Sequence, residues 1–220
     1  MNFKIITIFP KIFDSYFSEG IVRRAQNQGI ISVSSQDLRE FTSDRHKTID
    51  DTPYGGGAGM LMKIEPLYQA IKKLAPRANK KRKIVLLSAQ GKKWTQQLAQ
   101  EYSKLDEVVF ICGRYEGVDE RIKNFIDEEI SIGDYVLTGG ELGTMIMIDS
   151  ITRLLPGALG NEASSQDESH SQAGVLEYPQ YTKPEKFKVK GKSYDVPEIL
   201  LSGNHPKIKE WKEKHKKNTL

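Results

Sequence analysis

At 220 residues and 24.9 kDa, with 38% hydrophobic and 28% charged residues, the chain is long enough for one sizeable α/β domain and a small appendage. No apolar run approaches the ~20 residues of a membrane span, and the N-terminus opens on a strand-like pattern without the apolar segment of a signal peptide, so a cytoplasmic protein is expected. One cysteine, Cys112, and four scattered histidines exclude an intrachain disulfide and a cysteine-cluster zinc site, and leave any metal site unassigned. Net charge is +4, but residues 175–220 hold eleven lysines against six acidic residues, so this tail is +5 and the remainder −1. An anionic polymer is a reasonable partner for such a tail.

In chain order, residues 3–8 read as a buried strand. Pro10 then opens a short helix with Ile12, Phe13, Tyr16 and Phe17 on one face, ended by Gly20. A second helical pattern at 21–27 leads through Gly29 to a strand at 30–35. Residues 42–60 have no periodicity and finish in Pro53-Tyr54-Gly55-Gly56-Gly57-Ala58-Gly59-Met60. Four glycines in five residues exclude a helix or strand interior, and a loop this long points to function. A helix follows from Ile64, then a strand at Ile84–Leu87 that ends in Ser88-Ala89-Gln90-Gly91. A helix carrying Trp94, Leu98 and Tyr102 returns the chain to a strand at Val108–Ile111, which ends in Cys112-Gly113-Arg114-Tyr115-Glu116-Gly117.

After a helical segment at 118–125, an apolar-acidic stretch that reads as the edge of a strand leads into Ser131-Ile-Gly-Asp-Tyr-Val-Leu-Thr-Gly-Gly-Glu141. A long helix with Met145, Ile146, Ile148, Ile151 and Leu155 comes next, stopped by Pro156 and Gly157. This alternation predicts a mostly parallel sheet with helices on its faces and ligands beyond the carboxyl ends of the strands. All three glycine loops fall at that edge. Expected boundaries are an α/β domain over 1–157, which the resemblance set out below makes the cofactor-binding catalytic one, a linker or lid over 158–174, and a small, mainly helical C-terminal domain over 175–220. The last contains a hairpin about Gly191 and a helix from about Pro206.

Neither Gly-x-Gly-x-x-Gly nor a Walker phosphate loop is present. Loops with few cations but with Leu87, Val136, Leu137 and bare peptide groups suit an uncharged purine with a small polar tail.

Four stretches together carry a family resemblance: Asp51-x-Pro-Tyr-Gly-Gly-Gly-x-Gly-Met60, Cys112-Gly-Arg-Tyr-Glu-Gly-x-Asp-Glu-Arg121, Ser131 to Glu141, and Leu201-Ser-Gly-Asn-His205. In this order they resemble the bacterial tRNA (guanine-N1)-methyltransferases over residues 1 to about 215. The resemblance implies an α/β SPOUT fold with a deep trefoil knot, S-adenosylmethionine as methyl donor, and methylation of guanosine 37 of tRNA. It also implies a homodimer with shared active sites, and magnesium dependence. Carried onto this chain, donor-binding positions are Leu87, Ser88, Gly91, Gly113, Tyr115, Glu116, Gly117, Ile132, Gly133, Asp134, Tyr135, Val136, Leu137, Gly139 and Gly140. Asp134, with no lysine or arginine beside it, is expected near the positive end of the donor.

The chemistry requires a base, because N1 of neutral guanine carries a hydrogen, and a cation to stabilise charge spreading to O6. The resemblance places the cation on Arg153. Register places the base on Glu168, whereas the family's residue type favours Asp167; both stay open. RNA contacts are expected at Arg45, His46, Lys47, Arg114, Lys183, Asn204 and His205. Alternative readings are a SPOUT methyltransferase for another RNA site and a non-catalytic RNA-binding protein.

Overall fold

The computed structural model describes residues 1–76, 79–160, 168–171 and 174–218. Two compact units make up the chain, Met1–Glu162 and Ala163–Leu220.

The first unit is built on a five-stranded sheet in the order β2-β1-β6-β5-β7, parallel throughout. Its strands are β1 (Asn2–Thr7), β2 (Ser32–Asp37), β5 (Arg82–Lys93), β6 (Glu107–Cys112) and β7 (Glu128–Ser131). The order follows from composition. Val108 to Cys112 are all buried, as a strand covered on both faces must be, and β6 is central. The polar Ser-Val-Ser-Ser-Gln-Asp of β2 takes an edge, as does the acidic β7.

Alternation along the strands divides the core into two layers. Phe3, Ile5, Val108, Phe110 and Cys112 face one side with α1 (Asp14–Phe17), α2 (Gly20–Asn27), α4 (Gln96–Tyr102) and α5 (Glu141–Thr152). Ile6, Leu86, Val109 and Ile111 face the other, with Leu67, Ala70 and Ile71 of α3 (Ile64–Leu74). Full burial of each such aliphatic side chain stabilises the fold by roughly 1.5–3 kcal/mol relative to exposure.

Several elements differ from their sequence expectation. The helix at Pro10 is a 3-10 turn, Pro10–Phe13, running into α1. Phe13 and Phe17, four residues apart, point inward, while Ile12 and Tyr16 lie on the neighbouring row and are exposed. Residues 120–125 form a 3-10 helix whose N-cap, Asp119, accepts the Arg121 amide. The 42–60 loop is not wholly irregular: β3 (Asp50–Asp51) pairs antiparallel with β4 (Leu61–Met62), closing the glycine segment into a hairpin. Strand β5 extends past Leu87. Its pairing with β7 jumps from Leu87 to Lys92, both opposite Ile130, so residues 88–91 leave the ladder between two paired stretches.

Among its described residues, the second unit holds two antiparallel strand pairs and two helices. Strand β9 (Lys186–Val189) pairs with β10 (Lys192–Asp195) around the expected turn at Gly191, and β8 (Val175–Leu176) pairs with β11 (Lys217–Asn218). Helix α6 spans Glu198–Leu201 and α7 spans His205–Lys214, where Trp211 stacks on His215 at 4.0 Å. No helix among the described residues is long and apolar enough to cross a membrane.

Candidate active site

Strands β5, β6 and β7 deliver three loops to one edge of the sheet. A cleft of ≈ 360 Å³ opens there, within the size range of small-molecule sites. It is lined by Leu87 and Ser88 where β5 leaves its ladder, by Gly113 and Tyr115 to Gly117 after β6, and by Ile132, Gly133, Tyr135 to Leu137, Gly139 and Gly140 after β7. These residues are far apart in sequence, and parallel strands bring them together because every strand ends at the same edge.

Two of the expected donor residues do not line it. Gly91 is a packing residue: a Cβ there would stand 2.4 Å from the Ile130 amide nitrogen, so only glycine lets β5 rejoin β7. Asp134 points to solvent and pairs with Lys93 Nζ at 2.5 Å. The expectation of an aspartate without a neighbouring cation is thereby corrected, since Lys93 is 41 residues away in sequence but adjacent across the sheet edge.

Tight backbone approaches shape the walls. The Gly140 amide donates to the Gly113 carbonyl at 3.0 Å, and a Cβ on Gly140 would lie 2.8 Å from Cys112 Cα and 2.9 Å from Leu87 Cβ. Tyr115 takes a left-handed conformation at φ 60°, a strained state for a residue with a side chain. Its phenol is pushed up by burial first and then by the charge and hydrogen bond of Asp50. The glycine hairpin rests on the same loop: the Glu116 amide donates to the Met60 carbonyl at 3.1 Å, and the Met62 amide to the Gly117 carbonyl at 3.0 Å. At the tip of this hairpin Tyr54 is fully exposed.

Ionic groups at the cleft were not evident from the sequence. Lys123 bonds Glu120 at 2.8 Å and Glu129 at 3.0 Å, and these two, Glu120 foremost, hold its ammonium above the ordinary lysine range. All three residues line the cleft.

A second network lies beside them. Glu141, 1% exposed, accepts the Thr7 hydroxyl at 2.8 Å on Oε1 and Arg114 Nε at 2.9 Å on Oε2. Arg114 Nη2 lies 2.9 Å from the same Oε2, Nη1 donates to the Thr138 carbonyl at 3.2 Å, and the guanidinium sits 4.7 Å from the centre of the Phe9 ring. Arg114, expected among the RNA contacts, is thus engaged with partners within the first unit. Pairing of this kind is invisible in sequence because Thr7 and Glu141 are 134 positions apart.

The remaining candidates fall elsewhere. Arg45, His46 and Lys47 are exposed in a loop held by Asp44, whose carboxylate accepts the His46 amide at 2.9 Å and the Thr48 amide at 3.0 Å. Lys183 and His205 are exposed, and Asn204 caps α7 by accepting the Lys207 amide at 3.2 Å. Arg153 is the half-buried C-cap of α5. Glu168 belongs to the second unit, where its carbonyl accepts the Ser171 amide at 3.0 Å. Asp167 lies outside the described residues. Among the described residues no three His, Cys, Asp or Glu side chains gather as a metal site would require.

Comparison with known families decides where the chain belongs. The family model described as "tRNA (Guanine-1)-methyltransferase TrmD" matches residues 1–220. The chain belongs to this family. Among individual relatives, a protein of Geobacillus kaustophilus named tRNA (guanine-N(1)-)-methyltransferase is 51% identical over 215 residues, covering 97% of this chain and 86% of that one. One of the same name from Desulfitobacterium hafniense is 50% identical over 214 residues, covering 97% and 79%. A third, from Dictyoglomus turgidum, is 48% identical over 214 residues, covering 97% and 84%. At two glycines of the cleft walls a side chain has no room, Gly139 against Arg114 and Gly140 against Cys112 and Leu87.

Proposed function

We propose that the protein transfers a methyl group from S-adenosylmethionine to N1 of guanosine 37 in tRNA. The observation that carries this reading is the cleft at the carboxyl edge of β5, β6 and β7, in a chain whose relatives are named tRNA (guanine-N(1)-)-methyltransferases. Its chemistry fits the donor. Glu116, Glu120 and Glu129 line it against Lys123 and Arg114, and both cations are already paired with carboxylates. A phosphate-bearing dinucleotide would meet only cations already paired with carboxylates there, whereas a cationic sulfonium with an adenosine moiety meets acidic side chains, peptide groups and the apolar Leu87, Val136 and Leu137.

S-adenosylmethionine supplies an electrophilic methyl group. The protein's part is to orient the guanine, take the N1 proton and stabilise the charge that spreads to O6. A carboxylate of the 158–174 segment, Glu168 or Asp167, takes the proton, and Arg153 at the end of α5 stabilises O6. Arg45, His46, Lys47, Lys183 and His205 contact the RNA, chiefly its phosphates, so binding weakens steeply as salt rises. The enzyme works in the cytoplasm as a homodimer. Supporting the dimer, Leu142 and Ile146, four residues apart on α5, are 53% and 45% exposed. Beside them the Tyr16 hydroxyl donates to Asp149 at 2.6 Å, adding an exposed aromatic ring to the two aliphatic side chains of that face. An apolar strip on a helix end next to the cleft suits a second copy of the chain.

The test is incubation with labelled S-adenosylmethionine and tRNA transcripts carrying G or A at position 37, followed by mapping of the methylated base. Label on N1 of G37 and none on the A37 transcript is expected; equal labelling of both would overturn the assignment. Glu168→Gln and Asp167→Asn identify the base: the correct variant keeps donor binding and loses transfer, and full activity in both would remove this segment from the mechanism.

A further inference from the structure

Two loops form facing walls of the cleft, and they are joined by a buried polar unit with no part in the chemistry described above. Glu141 stands at the start of α5, directly after the 131–140 loop. Arg114 stands in the 113–117 loop, and Thr7 ends β1. Both Glu141 oxygens are taken, one by Thr7 and one by Arg114, and the guanidinium reaches on to the Thr138 carbonyl. The Thr7 hydroxyl oxygen in turn accepts the Phe9 amide at 3.0 Å, setting the ring on which the guanidinium lies.

Gly139 has no room for a side chain because Arg114 Nε fills the site a Cβ would take, at 2.2 Å. The loops touch directly as well, through the Gly140 amide and the Gly113 carbonyl. A charged pair withdrawn from water this far stabilises little on balance against an apolar replacement, but it fixes one geometry, because any other leaves a buried charge unpaired.

We propose that Thr7, Glu141 and Arg114 form a positioning clamp that holds the 113–117 and 131–140 loops at the spacing the methyl donor requires, Arg114 acting through these loops and not by touching RNA. This rests on the cleft binding S-adenosylmethionine. The clamp residues are positioning residues; the walls they set are Tyr115 to Gly117 on one side and Tyr135 to Leu137 on the other.

Arg114→Lys keeps a cation beside Glu141 but loses the fork, and Thr7→Val removes one hydroxyl at nearly constant volume. Dissociation constants for S-adenosylmethionine and for tRNA are measured separately by calorimetry on each variant, with thermal melts to establish that the variants are folded at the assay temperature. Each single variant is expected to weaken donor binding by roughly tenfold, the scale of one charged hydrogen bond, with tRNA affinity and its salt dependence unchanged. The double variant is expected to be no weaker than the worse single one, because the three residues act as one unit. Unchanged donor binding in folded Arg114→Lys overturns the proposal, and so does a loss of tRNA affinity with a shallower salt dependence, which would make Arg114 a phosphate contact. If Arg114→Lys does not fold, Thr7→Val alone decides by the same donor measurement. Wild-type protein that bound no S-adenosylmethionine would bring down the donor reading itself, an outcome separate from any difference among variants.

Discussion

Cys112 sits at the end of β6, fully buried, with its sulfur 3.3 Å from the Thr144 hydroxyl. Burial, and then the charge of Glu141, push its thiol far above the ordinary range against the opposing effects of Thr144 and Arg114. A thiol that stays protonated and shielded is a poor nucleophile. An aromatic disulfide reagent at pH 8 should therefore leave the native protein unmodified and react with one thiol per chain after denaturation. Tyr16 shows the opposite exposure with a related shift. Its hydrogen bond to Asp149, then burial and the charge of Asp149, push the phenol up to about 12. Since the folded value lies above the unfolded one of about 10, the stabilisation from this bond is complete below pH 10 and lost as pH rises through 12. Denaturant melts of wild type and Tyr16→Phe should show a gap that is constant from neutral pH to about 10 and closes toward pH 12. In sequence Tyr16 reads as an apolar pattern position and Cys112 as the start of the loop after its strand. Their partners were not legible there, because Thr144 and Asp149 lie on a helix that only packing brings near.

At the scale of elements, most of the alternation was legible: strands 84–87 and 108–111, the helix from Ile64 and the hairpin about Gly191 all appear at or near those positions. Longer-range geometry changed what two glycines mean. Gly91 reads in sequence as part of a ligand loop, but it lets β5 pass the backbone of Glu129 and Ile130 where the pairing jumps. Gly140 reads the same way and does stand at the cleft, pressed against Cys112 and Leu87. A Gly140→Ala chain must move backbone at the crossing of two loops, at a cost of about 1–3 kcal/mol. Its thermal midpoint should fall and its affinity for S-adenosylmethionine should drop, measured by calorimetric titration. Alanine at Gly160, where nothing lies within 4 Å, should change neither.

At the scale of the whole molecule, α5 has two jobs. Met145, Met147, Ile148 and Ile151 pack on the sheet, while Leu142 and Ile146 face solvent in the single chain. Replacing both exposed residues by glutamate leaves the core untouched, so the chain should still melt cooperatively, elute as a monomer on size-exclusion chromatography with light scattering, and lose methyl transfer if sites are shared between copies. A dimer that survived this change would place the interface on another surface. The sequence by itself determined the strand and helix alternation, the family, and the three loops that carry the cleft. Short-range periodicity and glycine spacing encode these directly. Tertiary structure alone decided which loop residues line the cleft, that Asp134 is paired with Lys93, and that Arg114 is committed to Glu141. Those outcomes depend on contacts between positions 27 to 134 residues apart, which parallel-strand crossovers bring together and local pattern cannot register.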